Sequence, residues 1–482
     1  MNRAIAMTAQ RLLVFIFGCL AFTIAASAQA PAATTPPVYA ITHAKLITLA
    51  GAPVEDGTVV IKDGKIAAIG VGVEVPAGAQ VIDAKGLQAY PGLFDPITQM
   101  GLSEIGAVGS TVDTTETGPI NPDVVAATAV FPSSEHIPVT RASGITEVLA
   151  VPGSGGFDSG GNRGMLAGQA SAFHLAGWTM DEMQIKKSVA MVINWPTINT
   201  SSFDFATFSR KQKPFAEAKQ DYEKQVTQLT DVLDSARHYA QAMGHGGPSD
   251  FERDVKLEAL VPVVRGQLPV LVFADKARDI RNAVEYCEKR KLRMILAGGE
   301  EAYKVKDLLR SKDVPVILRP MLSEVDEEDE AYDRLLSQPA ELTAAGVKIA
   351  IGSFDNSFAR RLGQNAANAI AHGLSPEEGL KAVTLYPAQI LGLSEQLGSL
   401  QVGKVANIIV TNGDPLELTT DVKYLFIRGQ LTSTEDRHHR LYEKYLNRPK
   451  SEACECAVPE MPKMIKDNTK PSGLLSPNPK PN

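Results

Sequence analysis

Short apolar segments alternate with amphipathic helical segments over about 300 residues in the middle of the chain. The helical segments include residues 215–243, where apolar side chains recur at helical spacing, and a helix start at Ser375, which is followed by proline and two glutamates. Alternation of this kind predicts a parallel sheet, and its length suits a (β/α)₈ TIM barrel over residues 89–397. A doubly wound sheet is the alternative that periodicity leaves open. The strand candidates are 89–94, 146–151, 189–193, 269–273, 293–296, 314–318 and 347–351.

Two strand-rich patches flank this region, at residues 38–88 and 398–432. The first contains a hairpin signal in which Asp63 and Gly64 separate two apolar runs, a pair that favours a primed turn. Each patch is too short to enclose a core of its own. We therefore expect the two ends of the chain to combine into one small composite β-sandwich.

The first 28 residues have the features of a cleavable signal peptide. Arg3 and Arg11 are basic, residues 12–24 are apolar, and residues 26–28 read Ala-Ser-Ala, which is typical of a cleavage site. Residues 29–37 read as an Ala/Pro/Thr linker. Cys19 faintly resembles a lipidation site, but the bulky Phe17 before it favours simple cleavage. We expect a periplasmic or secreted protein with no transmembrane segment in the mature chain.

Residues 433–482 lack the regular spacing of apolar residues seen before them and are rich in proline, which predicts a mostly disordered tail. Cys454 and Cys456 in this tail are either an unpaired dithiol without function or a metal-binding or oxidisable pair. The chain has 4 cysteines, of which three remain after cleavage, too few for a disulfide framework. Its formal charge is −7 and it has no basic stripe, so we expect no nucleic-acid partner.

Several motifs, in one order along the chain, resemble the imidazolonepropionase-like branch of the amidohydrolase superfamily. Residues 91–95 read Pro-Gly-Leu-Phe-Asp, residues 141–148 read Arg-Ala-Ser-Gly-Ile-Thr-Glu-Val, and residues 371–384 resemble the penultimate helices of that family. Residues 398–404 and 413–416 resemble the segments with which the chain of that family leaves the barrel and enters the small sandwich again. The resemblance implies the barrel with the composite sandwich, and hydrolysis of carbon–nitrogen bonds, in cyclic amides for example, as the activity at family level.

In that family, paired histidines and further ligands hold zinc or a similar divalent metal, which activates a water molecule. The matching positions here carry Ile97 and Gln99, then Phe273 and Asp275, then Gly298. Isoleucine, phenylalanine and glycine side chains have no lone pair to donate. We therefore expect no metal ligands and no metal cofactor.

Five residues remain as candidates for a rebuilt site. Asp355 stands where the family has its catalytic aspartate, with a plain loop carboxylate as the alternative. Gln99, Asp275, Glu300 and His174 are candidate substrate contacts. The sequence favours a role as helix N-cap for Asp275. For His174 it favours a buried histidine whose hydrogen bonds are made within the core.

These observations support two hypotheses about function. The first is an exported amidohydrolase-family protein whose metal-dependent turnover is weak or absent. The second is a non-catalytic relative that binds a small molecule, or that associates with itself or with an intact amidohydrolase as a partner subunit.

Overall fold

A computed structural model describes residues 37–154, 163–204, 208–244, 253–322 and 330–449. The predicted signal peptide, Cys19, nearly all of the linker and the Cys454/Cys456 pair lie outside these ranges. The chain divides into two compact units, residues 1–436 and residues 437–482. The second unit contains one described helix, Arg437–Leu446, within the segment expected to be mostly disordered.

The strands are numbered in chain order. They are β1 (Tyr39–Leu46), β2 (Val54–Lys62), β3 (Lys65–Gly70), β4 (Gln80–Asp83), β5 (Gln88–Pro91), β6 (Leu93–Thr98), β7 (Ile145–Ala150), β8 (Leu166–His174), β9 (Gln184–Asn194), β10 (Ser201–Asp204), β11 (Ser209–Gln212), β12 (Val270–Ala274), β13 (Met294–Gly298), β14 (Val316–Leu318), β15 (Ile349–Ile351), β16 (Ile408–Thr411), β17 (Val422–Ile427) and β18 (Gln430–Thr432).

The α-helices are numbered in the same way. They are α1 (His136–Ala142), α2 (Met180–Met183), α3 (Phe215–Gly244), α4 (Val255–Val264), α5 (Ala277–Lys289), α6 (Lys306–Ser311), α7 (Arg334–Ala344), α8 (Leu362–Ala371), α9 (Pro376–Ala382), α10 (Leu385–Ile390) and α11 (Arg437–Leu446). In the part of the chain that the structure describes, none of these helices is long and apolar enough to cross a membrane.

The two ends of the chain share one sheet, as the sequence predicts. Its order is β18-β17-β16-β5-β1-β2-β3, and β4 pairs with β1. The ends meet where β5 pairs antiparallel with β16, with Tyr90 opposite Ile409. The β2–β3 turn has positive φ at both Asp63 and Gly64, so the primed turn is confirmed.

The expected strand 89–94 is in fact two strands that belong to different sheets. β5 joins the composite sheet and β6 begins the barrel, with Gly92 between them. A Cβ on Gly92 would lie 1.9 Å from the Thr146 hydroxyl oxygen, so only glycine fits where the chain passes from one sheet to the other.

A second eight-stranded sheet forms the nearly closed barrel, in the order β15-β14-β13-β12-β9-β8-β7-β6. Its first and last strands approach each other, where the Phe354 backbone N–H donates to the Ile97 carbonyl oxygen at 2.8 Å. Both the barrel and the composite sheet therefore agree with the predicted fold class, and the doubly wound alternative is wrong.

One barrel strand departs from the all-parallel expectation. β8 runs antiparallel to both β7 and β9, while the other neighbouring pairs are parallel. This strand begins at Leu166 and is not among the strand candidates predicted from the sequence. The strand is buried along its whole length, including its polar residues Gln169 and Ser171, so its burial does not follow the pattern of a half-buried strand with one polar face.

Side chains of the barrel strands alternate between two apolar sets. Outward residues such as Val270 and Val272 pack with the surrounding helices, and inward residues such as Leu271 fill the barrel. Both Ile97 and Phe273 belong to the inward set. The barrel interior is therefore a packed apolar core that extends to the carboxyl ends of its strands.

Candidate functional site

The carboxyl ends of the parallel strands form one edge of the barrel, which we call the mouth. Gln99 follows β6, Asp275 follows β12, Glu300 follows β13 and Asp355 follows β15. Because these strands run in the same direction, the structure brings these four predicted site residues to the same edge. All four are half-buried.

Apolar side chains fill the interior immediately below the mouth. Ile97 is 0% exposed and Phe273 is 5% exposed. The rings of Phe273 and Phe354 meet edge to face, with their centroids 5.9 Å apart and their planes at 84°. The mouth therefore has an aromatic floor.

Asp275 is held by an arginine that sequence reasoning missed. Arg319, which follows β14, donates from Nε to Oδ1 at 3.2 Å and from Nη2 to Oδ2 at 3.1 Å. The guanidinium carbon of Arg319 also lies 5.0 Å from the ring centroid of Phe354. The Arg319 side chain is 23% exposed and that of Asp275 is 31% exposed, so the pair is partly shielded from water.

The expectation that Asp275 caps helix α5 is wrong. The residue before the helix is Lys276, and its side chain makes no capping bond. The backbone N–H of Ala277 donates instead to Oε2 of Glu301, at 2.6 Å. Glu301 can reach this N–H because its own backbone N–H bonds to the Asp275 carbonyl, which brings the β13 loop to the start of the helix.

The carboxylate of Asp355 stabilises its own loop. Its Oδ1 accepts from the Phe358 backbone N–H at 2.8 Å, and its carbonyl oxygen accepts from the Ser353 hydroxyl at 2.9 Å. This geometry supports the loop role, while a catalytic role for Asp355 stays a prediction.

Asp95 is a buried acid at the end of the barrel that sequence reasoning did not single out. It is 0% exposed and accepts from the Ser353 backbone N–H at 3.0 Å, from the Ser353 hydroxyl and from the Ile97 N–H. Burial raises the pKa of Asp95 to about 7, although these hydrogen bonds oppose the shift. The sequence feature that could have identified this buried acid is a charged residue within a mostly apolar strand.

His174 lies at the opposite end of the barrel from the other candidates. Because β8 is antiparallel, its last residue pairs with Glu147 near the start of β7. The Asn407 side chain lies between the two, with its Nδ2 3.1 Å from Nδ1 of His174 and 2.9 Å from Oε2 of Glu147. Burial lowers the pKa of His174 to about 3 and raises that of Glu147 to about 8. The contacts of His174 are therefore those of a buried polar cluster next to the composite sheet.

A second arginine adds positive charge to the mouth. Burial lowers the pKa of Arg163, and the neighbouring Arg319 lowers it further, while Asp275 opposes the shift. Of the two guanidinium groups, that of Arg319 is the one that hydrogen-bonds to the Asp275 carboxylate. Among the described residues, no three His, Cys, Asp or Glu side chains converge in a way that could hold a metal ion.

Comparisons with known proteins agree with this architecture. The model of the amidohydrolase family matches residues 334–433. The crystal structure of an amidohydrolase from Thermotoga maritima MSB8 superposes with a TM-score of 0.70 at 25% identity, covering 82% of this chain and 99% of that one.

Four curated relatives were found by sequence, of which two are described. Amidohydrolase tasK of Hapsidospora irregularis is 25% identical over 395 residues, which are 78% of this chain and 39% of that protein. The imidazolonepropionase of Aeromonas hydrophila subsp. hydrophila is 39% identical over 100 residues, 20% of this chain and 23% of the enzyme. The match thus spans about two fifths of the first relative and about a quarter of the second.

Proposed function

We propose that the chain is a member of the amidohydrolase superfamily, in its imidazolonepropionase-like branch, and one in which metal-dependent turnover is weak or absent; the family match and the relatives support this assignment. The activity that membership supports is hydrolysis of carbon–nitrogen bonds. In such enzymes a zinc-like ion supplies an activated water molecule, and its ligands converge at the mouth of the barrel.

The observation that carries the proposal is the packing of the residues that the sequence resemblance matches to metal ligands. Ile97 and Phe273 are packed into the apolar interior and offer no donor atom. At the next position, a Cβ on Gly298 would lie 2.2 Å from Oδ1 of Asp275, so Asp275 and its partner Arg319 fill the space of a side chain there. These residues do not fit a divalent ion, and we derive no catalytic step through one.

A positive charge already stands beside Asp275. Each ligand position that lacks a donor raises the cost of dehydrating a cation, and the Arg319 guanidinium adds repulsion. Asp355 is the remaining candidate for catalysis, with Gln99, Asp275 and Glu300 as substrate contacts on the same edge of the barrel.

The second candidate function is that of a non-catalytic relative, one that binds a small molecule or pairs with itself or with an intact amidohydrolase. The apolar floor of Phe273 and Phe354 favours it, since these two packed rings offer no donor atom to a metal. We further propose export to the periplasm or secretion on the basis of residues 1–28.

Metal content is the experiment that tests the main proposal. The mature chain, purified without a metal-binding tag, is analysed for zinc, manganese and iron per chain. We expect far less than one ion per chain, unchanged in Asp355→Ala. Near-stoichiometric metal that Asp355→Ala abolishes would show a rebuilt site and overturn the proposal.

Turnover and partners separate the two candidate functions. Release of amine from N-acyl amino acids and cyclic amides, measured with and without added zinc, tests for residual hydrolysis. A pull-down from periplasmic extract then shows whether an intact amidohydrolase co-purifies, and size-exclusion chromatography shows whether the chain associates with itself.

A further inference from the structure

Helix α11, Arg437–Leu446, has no buried residue. Tyr442, Tyr445 and Leu446 are 68%, 60% and 66% exposed, and Leu441 is half-buried. Large apolar side chains that are exposed close to one another mark a site of interaction. The second compact unit of the chain therefore presents a helix that is open to a partner.

The residues of α11 separate into an apolar and a charged side. At about 100° per residue, the apolar residues fall within an arc of about 140°. That arc contains the four apolar residues and His438: Leu441, Tyr442, Tyr445 and Leu446. The other side contains the charged residues and His439: Arg437, Arg440, Glu443 and Lys444. The helix is therefore amphipathic along its whole length.

Positive charge predominates on this segment. Residues 437–448 contain four basic residues and one acidic residue, a net charge of +3. The whole chain has a net charge of −7, which leaves −10 for the rest. An anionic surface therefore attracts this helix and repels most of the remaining protein.

This combination fits the surface of a lipid bilayer. Leucine and tyrosine side chains enter the boundary between headgroups and acyl chains, where the tyrosine hydroxyl still reaches water, and basic side chains reach the lipid phosphates. A helix of 10 residues is about 15 Å long and so cannot span a hydrocarbon core of about 30 Å. A second copy of the helix is a poorer partner, because it would bring the same positive charge against the first.

We propose that α11 docks the protein onto a membrane surface that contains anionic phospholipids. Tyr442, Tyr445 and Leu446 enter the headgroup region, and the basic residues of the segment contact the phosphates. The helix lies along the surface of the bilayer and does not cross it. This binding is independent of whether the mouth retains turnover.

Flotation with lipid vesicles tests the proposal on the whole mature chain. Vesicles of phosphatidylcholine with roughly one third phosphatidylglycerol should carry the protein upward in a density gradient, and vesicles of phosphatidylcholine alone should not. Sodium chloride at about 1 M should weaken the binding, because it screens exposed charges beyond about 3 Å.

Two double variants separate the charged side from the apolar side. Arg437→Glu with Lys444→Glu changes the net charge of residues 437–448 from +3 to −1. Each basic residue near an anionic surface strengthens binding about fivefold, so this variant should bind about 100-fold more weakly or worse. Tyr442→Ser with Leu446→Ser keeps the charge and removes apolar area, and it should weaken binding about tenfold or more.

Lys62→Glu with Lys65→Glu is the matched control. These two exposed lysines lie opposite each other in the β2–β3 hairpin, so the control reverses the same number of charges on another part of the chain. It should float with the vesicles as the wild type does. Because all the substituted side chains of the helix are exposed, the urea midpoints of both helix variants should equal that of the wild type.

The proposal is overturned if the phosphatidylglycerol vesicles do not bind the protein, if phosphatidylcholine alone binds it equally, or if both helix variants bind like the wild type. Self-association without vesicle binding, abolished by Tyr442→Ser with Leu446→Ser, would identify a second copy as the partner and would also overturn it. Because flotation needs neither metal nor turnover, its result is independent of the metal analysis of the mature chain.

Discussion

Oδ1 of Asp275 lies 2.2 Å from the point where a Cβ on Gly298 would stand. Asp275 follows β12 and Gly298 ends β13, which are neighbouring strands of the barrel. The carboxylate of Asp275 therefore needs the glycine beside it, and Arg319 holds it there with two hydrogen bonds. The three residues act as one structural unit.

Gly298→Ala should destabilise the fold for two reasons, its φ of +93° and the clash with Asp275. Gly403→Ala is a matched control, since Gly403 has a φ of +89° with nothing within 4 Å of its Cβ position. We expect the control to lose about 1 kcal/mol of unfolding free energy and Gly298→Ala about 2–3 kcal/mol. Urea denaturation measures both, and equal losses would contradict the proposed unit.

The edge-to-face pair of Phe273 and Phe354 should contribute to stability beyond its burial. Phe273→Ala should cost about 3–5 kcal/mol, because it leaves a cavity in the barrel interior. A double-mutant cycle with Phe354→Ala should give a coupling free energy of about 0.5–1.5 kcal/mol, measured by urea denaturation. Additive losses would mean that the two rings do not stabilise each other.

The carboxylate of Asp355 should behave as a loop cap. Asp355→Ala removes the acceptor for the Phe358 N–H and should cost about 1 kcal/mol of unfolding free energy. Asp355→Asn keeps an oxygen acceptor and should recover most of that loss. If hydrolysis is detected, a catalytic Asp355 would lose activity in both variants, whereas a loop cap would keep it in Asp355→Asn.

Local patterns predicted much of the fold. The Asp63-Gly64 turn and the cap at Ser375, which accepts from the Glu378 N–H at 3.3 Å, both form as expected. Such features depend on a few adjacent residues, whose chemistry the sequence shows directly. The family resemblance singled out Gln99, Asp275, Glu300 and Asp355, and in the structure they lie at one edge because they follow strands of the barrel that run in the same direction.

Features that depend on distant residues were not predictable in the same way. The direction of β8 decides which end of the barrel His174 reaches, and a fully buried strand gives no sign of its direction. Arg319 lies 44 positions from Asp275, so no local pattern links them. The cap of α5 was misassigned for a similar reason, since Glu301 belongs to the next strand's loop.

Glu147 should make the protein less stable as the pH rises from 6.5 to 8. Its pKa is raised to about 8 by burial, from a usual 4.5, so in this range it is protonated when folded and ionised when unfolded. Its contribution to stability is complete below about 4.5 and is lost as the pH passes about 8. One proton released on unfolding lowers the unfolding free energy by about 1.4 kcal/mol per pH unit.

Glu147→Gln keeps the shape and the acceptor of the protonated acid while it removes the titration. Its unfolding free energy, measured by urea denaturation, should fall by about 1–2 kcal/mol less than that of the wild type between pH 6.5 and 8. His174 does not interfere with this measurement. Its pKa is lowered to about 3, so its effect on the unfolding free energy, which has the opposite sign, no longer changes above about pH 6.5. Glu417→Gln, at an exposed acid, controls for the loss of one negative charge and should parallel the wild type. Parallel curves for Glu147→Gln and the wild type would show that Glu147 is ionised in the folded barrel, and that the buried cluster with Asn407 accommodates the charge.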